Sequence, residues 1–296
     1  MIKKALITCA GFGTRFLPIA KTIQKEMLPV LNRPIIDYIV DDCISAGIEE
    51  IILVVKESEN KLVEHYYKEH RSLRQHLKKM GKYEKYKDKL LLHEKTKFRF
   101  VTQTIADKYG TSIPVELAKK YLKDEEAFLV FMGDDFIYNP DGKNETRAMI
   151  ELFNSSNSKG LVTCITRSEE ELYKYGIAVV KKENGFTYLN NLVEKPEPGT
   201  APSNLANISK YIFTPDIFDI IANQKPNEAS GEYYITDSAT TLAKDSNVCI
   251  YTPSGRYLDG GNVLGLLKAN IVVASNDLEL KDELQEFIKK EFGLNS

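Results

Sequence analysis

A short segment after the first apolar run carries the residues best suited to phosphate chemistry. It reads Ala10-Gly11-Phe12-Gly13-Thr14-Arg15-Phe16-Leu17-Pro18, and Lys21 and Lys25 follow in a stretch that is otherwise mostly apolar. Glycines let backbone N–H groups approach phosphate oxygens because no Cβ stands in the way, and Arg15 adds a fork of donors. Cations in apolar surroundings need anionic partners. The segment therefore predicts an anion-binding loop, although a tight turn or a solvated charged loop would have a similar composition.

The best-known phosphate-binding signatures do not fit this loop. The chain has no Gly-x-x-x-x-Gly-Lys-Ser/Thr, which excludes a P-loop. Gly11 and Gly13 could begin a dinucleotide fingerprint, but Phe16 takes the place of its third glycine. A Gly-x-Gly after a strand is weak evidence when it stands alone.

The elements that must position this loop follow an alternating pattern. Four apolar runs of strand length lie at Ala5–Cys9, Ile51–Val55, Phe98–Val101 and Phe128–Met132, and helical patterns fit 34–44, 60–69 and 112–122. Strand–helix alternation with apolar strands predicts an α/β fold, with a Rossmann-like, mixed and mostly parallel sheet flanked by helices. Ligands in such folds bind at the carboxyl ends of strands, where the glycine loop lies.

Three segments depart from the alternation. Residues 70–97 are polar and predict a helical excursion on the surface or an oligomer contact, and 175–213 predict a small antiparallel subregion. A helix is predicted over 276–292, with Asn276 as its N-cap and Glu279 in the capping-box position. Without an internal repeat or a low-complexity linker, we predict one domain over residues 1–296.

Composition narrows the classes of partner. The 296 residues carry a net charge of −2, which gives no basic excess for a nucleic-acid surface. No apolar run reaches the roughly 18–20 residues of a membrane helix, and the first residues do not resemble a secretory signal. We therefore expect a cytoplasmic protein without a nucleic-acid or membrane partner. A small anionic ligand needs only a few placed cations and stays possible.

The loop and several later motifs resemble the sugar-1-phosphate nucleotidylyltransferase family, in particular its bacterial UDP-glucose-forming branch. The match begins with Gly11–Pro18 and Lys25-Glu26-Met27-Leu28-Pro29. It continues in the family's order through Gly133-Asp134-Asp135, Lys174-Tyr175-Gly176, Val193-Glu194-Lys195-Pro196, 201–206, 231–237 and Tyr257-Leu258-Asp259-Gly260-Gly261-Asn262. One motif is modest evidence, but the ordered set spans most of the chain.

The resemblance implies a reaction and roles for these residues. UTP and glucose 1-phosphate would be the substrates, and Mg²⁺ would be the cofactor. Arg15 and Lys25 would be catalytic, and Asp134 and Asp259 would ligate the metal. Nucleotide contacts would come from Ala10, Gly11, Gly13, Glu26, Gln103 and Gly110, and sugar contacts from Gly176, Glu194, Lys195 and Asn204. The nucleotide-binding part would cover about 1–135, the sugar-binding part about 136–262 and a C-terminal helical segment about 263–296, in a homodimer or homotetramer.

The chain departs from the family pattern at two places. Gln24 replaces a proline before Lys25, which removes loop stiffness but no chemical group. The segment 107–114 replaces a small-residue turn; Lys108 and Tyr109 add bulk and charge beside the expected base. This leaves three possibilities open: a uridylyltransferase, an enzyme with another base or sugar such as a thymidylyltransferase, and a non-catalytic paralogue that binds sugar nucleotides.

Overall fold

The computed structural model describes residues 1–57, 61–90, 93 and 96–293. The strands are β1 (Lys4–Cys9), β2 (Pro29–Val30), β3 (Arg33–Pro34), β4 (Glu50–Lys56), β5 (Lys97–Gln103), β6 (Phe128–Met132), β7 (Asp135–Tyr138), β8 (Gly160–Thr166), β9 (Gly176–Glu183), β10 (Phe186–Glu194), β11 (Leu205–Phe213), β12 (Val248–Tyr251) and β13 (Arg256–Asp259). The helices are α1 (Ile35–Ser45), α2 (Leu62–Tyr66), α3 (Arg71–Lys79), α4 (Tyr83–Leu90), α5 (Ile113–Leu122), α6 (Glu145–Ser155), α7 (Ile217–Ala222), α8 (Ile235–Asp245), α9 (Val263–Ala274) and α10 (Lys281–Phe292).

A central sheet of nine strands has the order β5-β4-β1-β6-β11-β8-β12-β10-β9. The β5-β4-β1-β6 part is parallel, and β11 joins it in the antiparallel direction. Two short ribbons, β7–β13 and β2–β3, lie outside the sheet. The mixed α/β fold predicted from the sequence is confirmed, with the parallel pairing concentrated in the half that carries the glycine loop.

Alternating side chains of the central strands feed two cores, one on each face of the sheet. Ala5, Ile7 and Cys9 pack with buried side chains of α1, α6 and α9 on one face. Leu6 points to the other face, where α5, α7 and α8 complete the second core. This double cover explains why β1 reads as an unbroken apolar run.

The predicted strands and most predicted helices agree with the observed elements. Helix α1 begins directly after Pro34, and α5 carries Pro114 in its first turn as the sequence requires. The polar excursion contains α3 and α4, whose residues are exposed or half-buried. The second helix, predicted over 60–69, is shorter in the structure: α2 covers Leu62–Tyr66. The predicted start at Asn60 lies outside the described residues.

The predicted start of the C-terminal helix is wrong. Helix α10 begins at Lys281 with Leu280 at the N-cap, so Asn276 does not cap it. The side chain of Asp277 instead accepts hydrogen bonds from the N–H groups of Glu279 and Leu280, and Asn276 bonds back to α9 through the carbonyl of Val272. The polar residues there build a turn between α9 and α10, which the capping-box pattern alone does not distinguish from a helix start.

Candidate active site

A cleft of ≈ 580 Å³ opens at the carboxyl ends of β1 and β6, and a smaller pocket of ≈ 150 Å³ adjoins it. The cleft is lined by Gly11, Gly13, Arg15, Lys25, Asp134, Gly176, Glu194 and Lys195 of the predicted set. The smaller pocket is lined by Ala10, Gly11, Lys25, Glu26, Gln103, Gly110 and Asp134. The fold therefore gathers residues that lie up to 185 positions apart (from Ala10 to Lys195). The shared members Gly11, Lys25 and Asp134 mark where the two spaces meet.

Lys25 and Asp134 form an ion pair at this junction. Lys25 begins a short 3-10 turn after the glycine loop, and Asp134 follows β6, the strand beside β1. The Nζ atom of Lys25 donates to Oδ2 of Asp134 over 2.5 Å and lies 3.9 Å from Oε1 of Glu26. Burial opposes the charge on Lys25, but the carboxylates of Asp134 and Glu26 outweigh it and raise the pKa of the lysine. Lys25 is thus a fixed cation at the centre of the cleft.

Asp134 and Asp259 converge on Gly261. The antiparallel ribbon β7–β13 pairs Asp135, the first residue of β7, with Asp259, the last residue of β13. Asp134, which directly precedes β7, is thereby placed close to Asp259. A Cβ on Gly261 would lie 2.7 Å from Oδ2 of Asp134 and 3.0 Å from Oδ1 of Asp259, so glycine leaves a space between two carboxylates. Within the described ranges no group of three or more His, Cys, Asp or Glu side chains gathers around a common point. A cation bound here would take its other ligands from water or phosphate oxygens, which suits Mg²⁺.

Asp135 supports the ribbon from beneath the cleft. Its carboxylate accepts hydrogen bonds from the Nζ atom of Lys210 at 2.6 Å and from the hydroxyl of Tyr257 at 3.2 Å. Lys210 also donates to the carbonyl oxygen of Asp135 at 3.0 Å. Burial raises the pKa of Asp135 to about 7 although Lys210 acts in the opposite direction. The second aspartate of the Gly-Asp-Asp motif is therefore paired inside the protein, and only the first faces the cleft.

The smaller pocket combines backbone groups with two buried polar side chains. The Nε2 atom of Gln103 donates to the carbonyl of Lys108 at 3.3 Å, which fixes the amide at the pocket wall. Glu26 is 1% exposed, and its Oε2 atom has no hydrogen-bond partner among the described residues. Burial raises the pKa of Glu26 to about 7. A buried carboxyl oxygen without a hydrogen-bond partner is costly, so the pocket is suited to a ligand with polar edge groups.

The wall at Gly110 joins this pocket to the start of α8. The backbone N–H of Tyr233 donates to the carbonyl of Tyr109 at 3.0 Å, and the N–H of Ile235 donates to the hydroxyl of Thr111 at 2.9 Å. Gly110 has φ +130°, and a Cβ there would lie 2.3 Å from the backbone nitrogen of Tyr233. Only glycine fits at this contact.

The far end of the cleft is built by β9, β10 and α8. Gly176 begins β9 and pairs with Glu194 at the end of β10. Oε1 of Glu194 lies 3.6 Å from Nζ of Lys195, and burial raises the pKa of Glu194 although Lys195 lowers it. The Oγ1 atom of Thr236 is buried without a hydrogen-bond partner in the described chain. A carboxylate, a hydroxyl and a cation together suit a phosphorylated polyol.

Asn204 does not line this cleft, and Asn207 does. Asn204 is exposed, and its carbonyl accepts the N–H of Arg167 where β11 joins the loop after β8. Asn207 is 6% exposed; its Nδ2 atom donates to the hydroxyl of Tyr211 at 2.7 Å, and its Oδ1 atom accepts the N–H of Ser209 at 3.0 Å. A bulge in the pairing of β11 with β8 between Asn207 and Tyr211 turns this segment into the cleft. A bulge leaves no pattern in the sequence, so Asn207 could not be predicted as a cleft residue.

Several other cleft residues were not assigned a binding role from the sequence. They are Phe12, Tyr109, Thr111, Lys174, Ser209 and Thr236. Lys174 and Thr236 lie inside recognised motifs, so their place beside Gly176 and in the first turn of α8 could have been inferred. Tyr109 was noted only as added bulk beside the expected base, and Phe12 carries no chemical signal of its own, because exposed aromatic side chains are common on protein surfaces.

Comparisons with known proteins identify relatives of this chain. The family model described as nucleotidyl transferase matches residues 4–276. The chain is 36% identical over 290 residues to UTP–glucose-1-phosphate uridylyltransferase 2 of Staphylococcus saprophyticus, with 98% of each chain covered. It is similar to the UTP-bound UGPase of Acinetobacter baumannii (30% identity, TM-score 0.86, 97% and 99% coverage). It is also similar to a UDP-glucose pyrophosphorylase complexed with UDP-glucose (32% identity, TM-score 0.80, 94% and 100% coverage).

Proposed function

Because the chain belongs to the nucleotidyl transferase family, we propose that it transfers the uridylyl group of UTP to glucose 1-phosphate and releases pyrophosphate. The observation that carries this proposal is the position of Lys25 and of the Asp134–Asp259 pair. Lys25 and Asp134 line both the smaller pocket, which suits a polar ring, and the cleft, which suits a phosphorylated polyol, and Asp259 approaches Asp134 across Gly261. Relatives named for this reaction align with almost the whole chain, including both parts of the cleft.

The reaction requires mainly positioning and charge neutralisation. A phosphate oxygen of glucose 1-phosphate forms a bond to the α-phosphorus of UTP, while the bond to the β-phosphate oxygen breaks. The electron pair leaves with pyrophosphate, and the product is UDP-glucose. Both substrates are polyanions, so cations that meet the developing charge lower the barrier.

The chain's own residues can divide this work along the cleft. Lys25 stands beside the reacting phosphates, and Arg15, which is exposed at the glycine loop, can bind the triphosphate. Lys195 can bind the sugar phosphate, and Glu194 can accept hydrogen bonds from sugar hydroxyls. Gln103 can bind the edge of a pyrimidine from the pocket wall.

We propose that Asp134 and Asp259 hold Mg²⁺ in the space that Gly261 leaves between them. When bound, the cation neutralises charge on the phosphate oxygens that it contacts. Ala substitution of Asp134 should abolish Mn²⁺ binding, measured by electron paramagnetic resonance, together with turnover. Wild-type activity in that variant would remove Asp134 from the metal site. Lys210→Arg, which keeps the buried cation under the ribbon, serves as the matched control.

A steady-state assay of pyrophosphate release tests the proposed reaction. The wild-type protein is supplied with glucose 1-phosphate and with UTP, TTP, CTP, ATP or GTP in turn. We expect UTP to give the highest kcat/KM. Turnover with TTP but not with UTP would replace the uridylyl assignment by a thymidylyl one. No turnover with any nucleotide, alongside intact UTP binding, would favour the non-catalytic reading.

A cytoplasmic location and a homodimer or homotetramer belong to the same proposal and stay predictions from the sequence. Among the described residues no helix is both long and apolar enough to cross a membrane. Sedimentation of the purified protein measures the oligomeric state directly.

A further inference from the structure

Two exposed aromatic rings stand at the mouth of the nucleotide pocket. Phe12 comes from the glycine loop after β1, and Tyr109 comes from the segment between β5 and α5. Their ring centroids lie 5.9 Å apart, with the planes tilted by 41°. Both rings line the cleft, and Tyr109 also lines the smaller pocket with Gln103 and Gly110.

These rings contribute little to the cores of the fold. Phe12 is 46% exposed and Tyr109 is 45% exposed, and neither belongs to the packed clusters on the two faces of the sheet. The backbone around Tyr109 is held independently of its ring, by the hydrogen bond from Tyr233 and by the close contact at Gly110. Exposed apolar area at the mouth of a pocket is unfavourable unless a ligand covers it.

Two further contacts fix the positions of the rings. The Nζ atom of Lys56 lies 5.1 Å from the ring centroid of Phe12, on the side of β4. The backbone carbonyl of Tyr109 accepts the N–H of Tyr233, which lies just before α8, and the ring of Tyr109 lies against the ring of Phe12. A centroid separation of 5.9 Å is that of two rings in direct contact, so a flat ligand that enters the pocket towards Gln103 and Glu26 lies against one ring.

We propose that Tyr109, packed against Phe12, stacks on the nucleobase with its open face, because Tyr109 lines both the smaller pocket and the cleft whereas Phe12 lines only the cleft. The proposal rests on the proposed function in taking UTP as the ligand. Tyr109, one of the residues by which segment 107–114 departs from the family pattern, thereby gains a role. Base–aromatic stacking is sequence-tolerant in general, so Tyr109 supplies affinity while the polar pocket wall selects the base.

Binding experiments separate stacking from a phosphate contact. The Kd values of UTP and of inorganic tripolyphosphate are measured by calorimetry for the wild type, Tyr109→Ala, Tyr109→Leu and Tyr109→Phe in one magnesium buffer. We expect Ala and Leu variants to weaken UTP by about 5-fold or more, which corresponds to the lower range known for loss of a stacked aromatic. Tripolyphosphate, which has no base, should bind equally to all four proteins, and Tyr109→Phe should bind UTP like the wild type.

The Leu variant keeps bulk without an aromatic face, and Tyr86→Ala on α4 is the matched control for loss of an exposed tyrosine. Unchanged UTP affinity in Tyr109→Ala, or an equal loss for UTP and tripolyphosphate, would overturn the stacking role of Tyr109. Product formation is measured separately. Selective loss of UTP affinity without UDP-glucose synthesis would leave the stacking role standing and reject only the proposed reaction.

Discussion

Replacing Lys210 with methionine removes the cation from the buried pair beneath the ribbon β7–β13. The side chains of Lys210 and Asp135 are only 5% and 8% exposed, and their atoms approach to 2.6 Å. Methionine has a similar length, so the main change is the loss of charge and of the two hydrogen bonds to Asp135. The carboxyl group is left buried with the hydroxyl of Tyr257 as its remaining side-chain partner among the described residues.

The cost follows from the burial of both partners. Removing one member of a buried ion pair typically destabilises a protein by about 3–5 kcal/mol. With about 2–4 °C per kcal/mol for proteins of roughly this size, the thermal midpoint should fall by roughly 6–20 °C. The exposed pair Lys87–Glu84 provides the control, because solvent screens this pair and Lys87→Met should lower the thermal midpoint far less than Lys210→Met.

The loss should also depend on pH. Burial raises the pKa of Asp135 from its ordinary value of 3.8 to about 7, so between these values the folded carboxyl holds a proton that the unfolded one releases. Through this group, stability therefore decreases as pH rises from about 4 to 7. Without Lys210 the folded pKa rises further. The defect of Lys210→Met should therefore be larger at pH 8 than at pH 5.

Urea unfolding at both pH values, with circular dichroism as the signal, measures these differences. A defect no larger than that of Lys87→Met, or one that is equal at pH 5 and pH 8, would show that the pair does not stabilise the ribbon by charge. A double variant Lys210→Met, Asp135→Leu should recover part of the loss, because no buried carboxyl then lacks its partner.

Three further predictions concern the cleft. Lys25→Ala should lower kcat by roughly 10²-fold or more if the lysine meets charge that develops in the transition state, whereas a change confined to KM would make it a ground-state contact. Gly110→Ala should lower both the thermal midpoint and the affinity for UTP, because its Cβ collides with the backbone of Tyr233; Gly142→Ala, also at positive φ but with no neighbour within 4 Å, should change the midpoint less and UTP affinity not at all. Asn207→Ala should raise KM for glucose 1-phosphate and Asn204→Ala should leave it unchanged; the reverse result would restore the placement expected from the motif.

The parallel half of the fold could be predicted from the sequence, because β1, β4 and β6 are covered on both faces and therefore appear as apolar runs. The turns at Gly11 and Asp134 follow those strands directly, so their shared edge can be predicted from topology alone. The remainder of the site depends on features without a local pattern. The bulge of β11 that turns Asn207 towards the cleft arises from pairing between distant strands, and a pairing irregularity leaves no periodic trace.

The start of the C-terminal helix could not be predicted for a different reason. Asn276 and Glu279 match the capping-box pattern, but polar residues at these positions can equally stabilise a turn between two helices, as they do here. Helix α9 is held by a contact from far along the chain, because Oδ1 of Asn270 accepts the N–H of Leu31, 239 positions earlier. Local propensity cannot register such a contact.

Two hydrogen bonds, from the N–H of Tyr233 to the carbonyl of Tyr109 and from the N–H of Ile235 to the hydroxyl of Thr111, connect the loop beside the smaller pocket to the start of α8 at the far end of the cleft. We expect a ligand that displaces this loop to displace the start of α8 as well, which would couple the free energies of binding for UTP and the sugar phosphate. Linkage requires the coupling to be reciprocal: if UTP tightens the hold on the sugar phosphate by some factor, the sugar phosphate tightens the hold on UTP by the same factor.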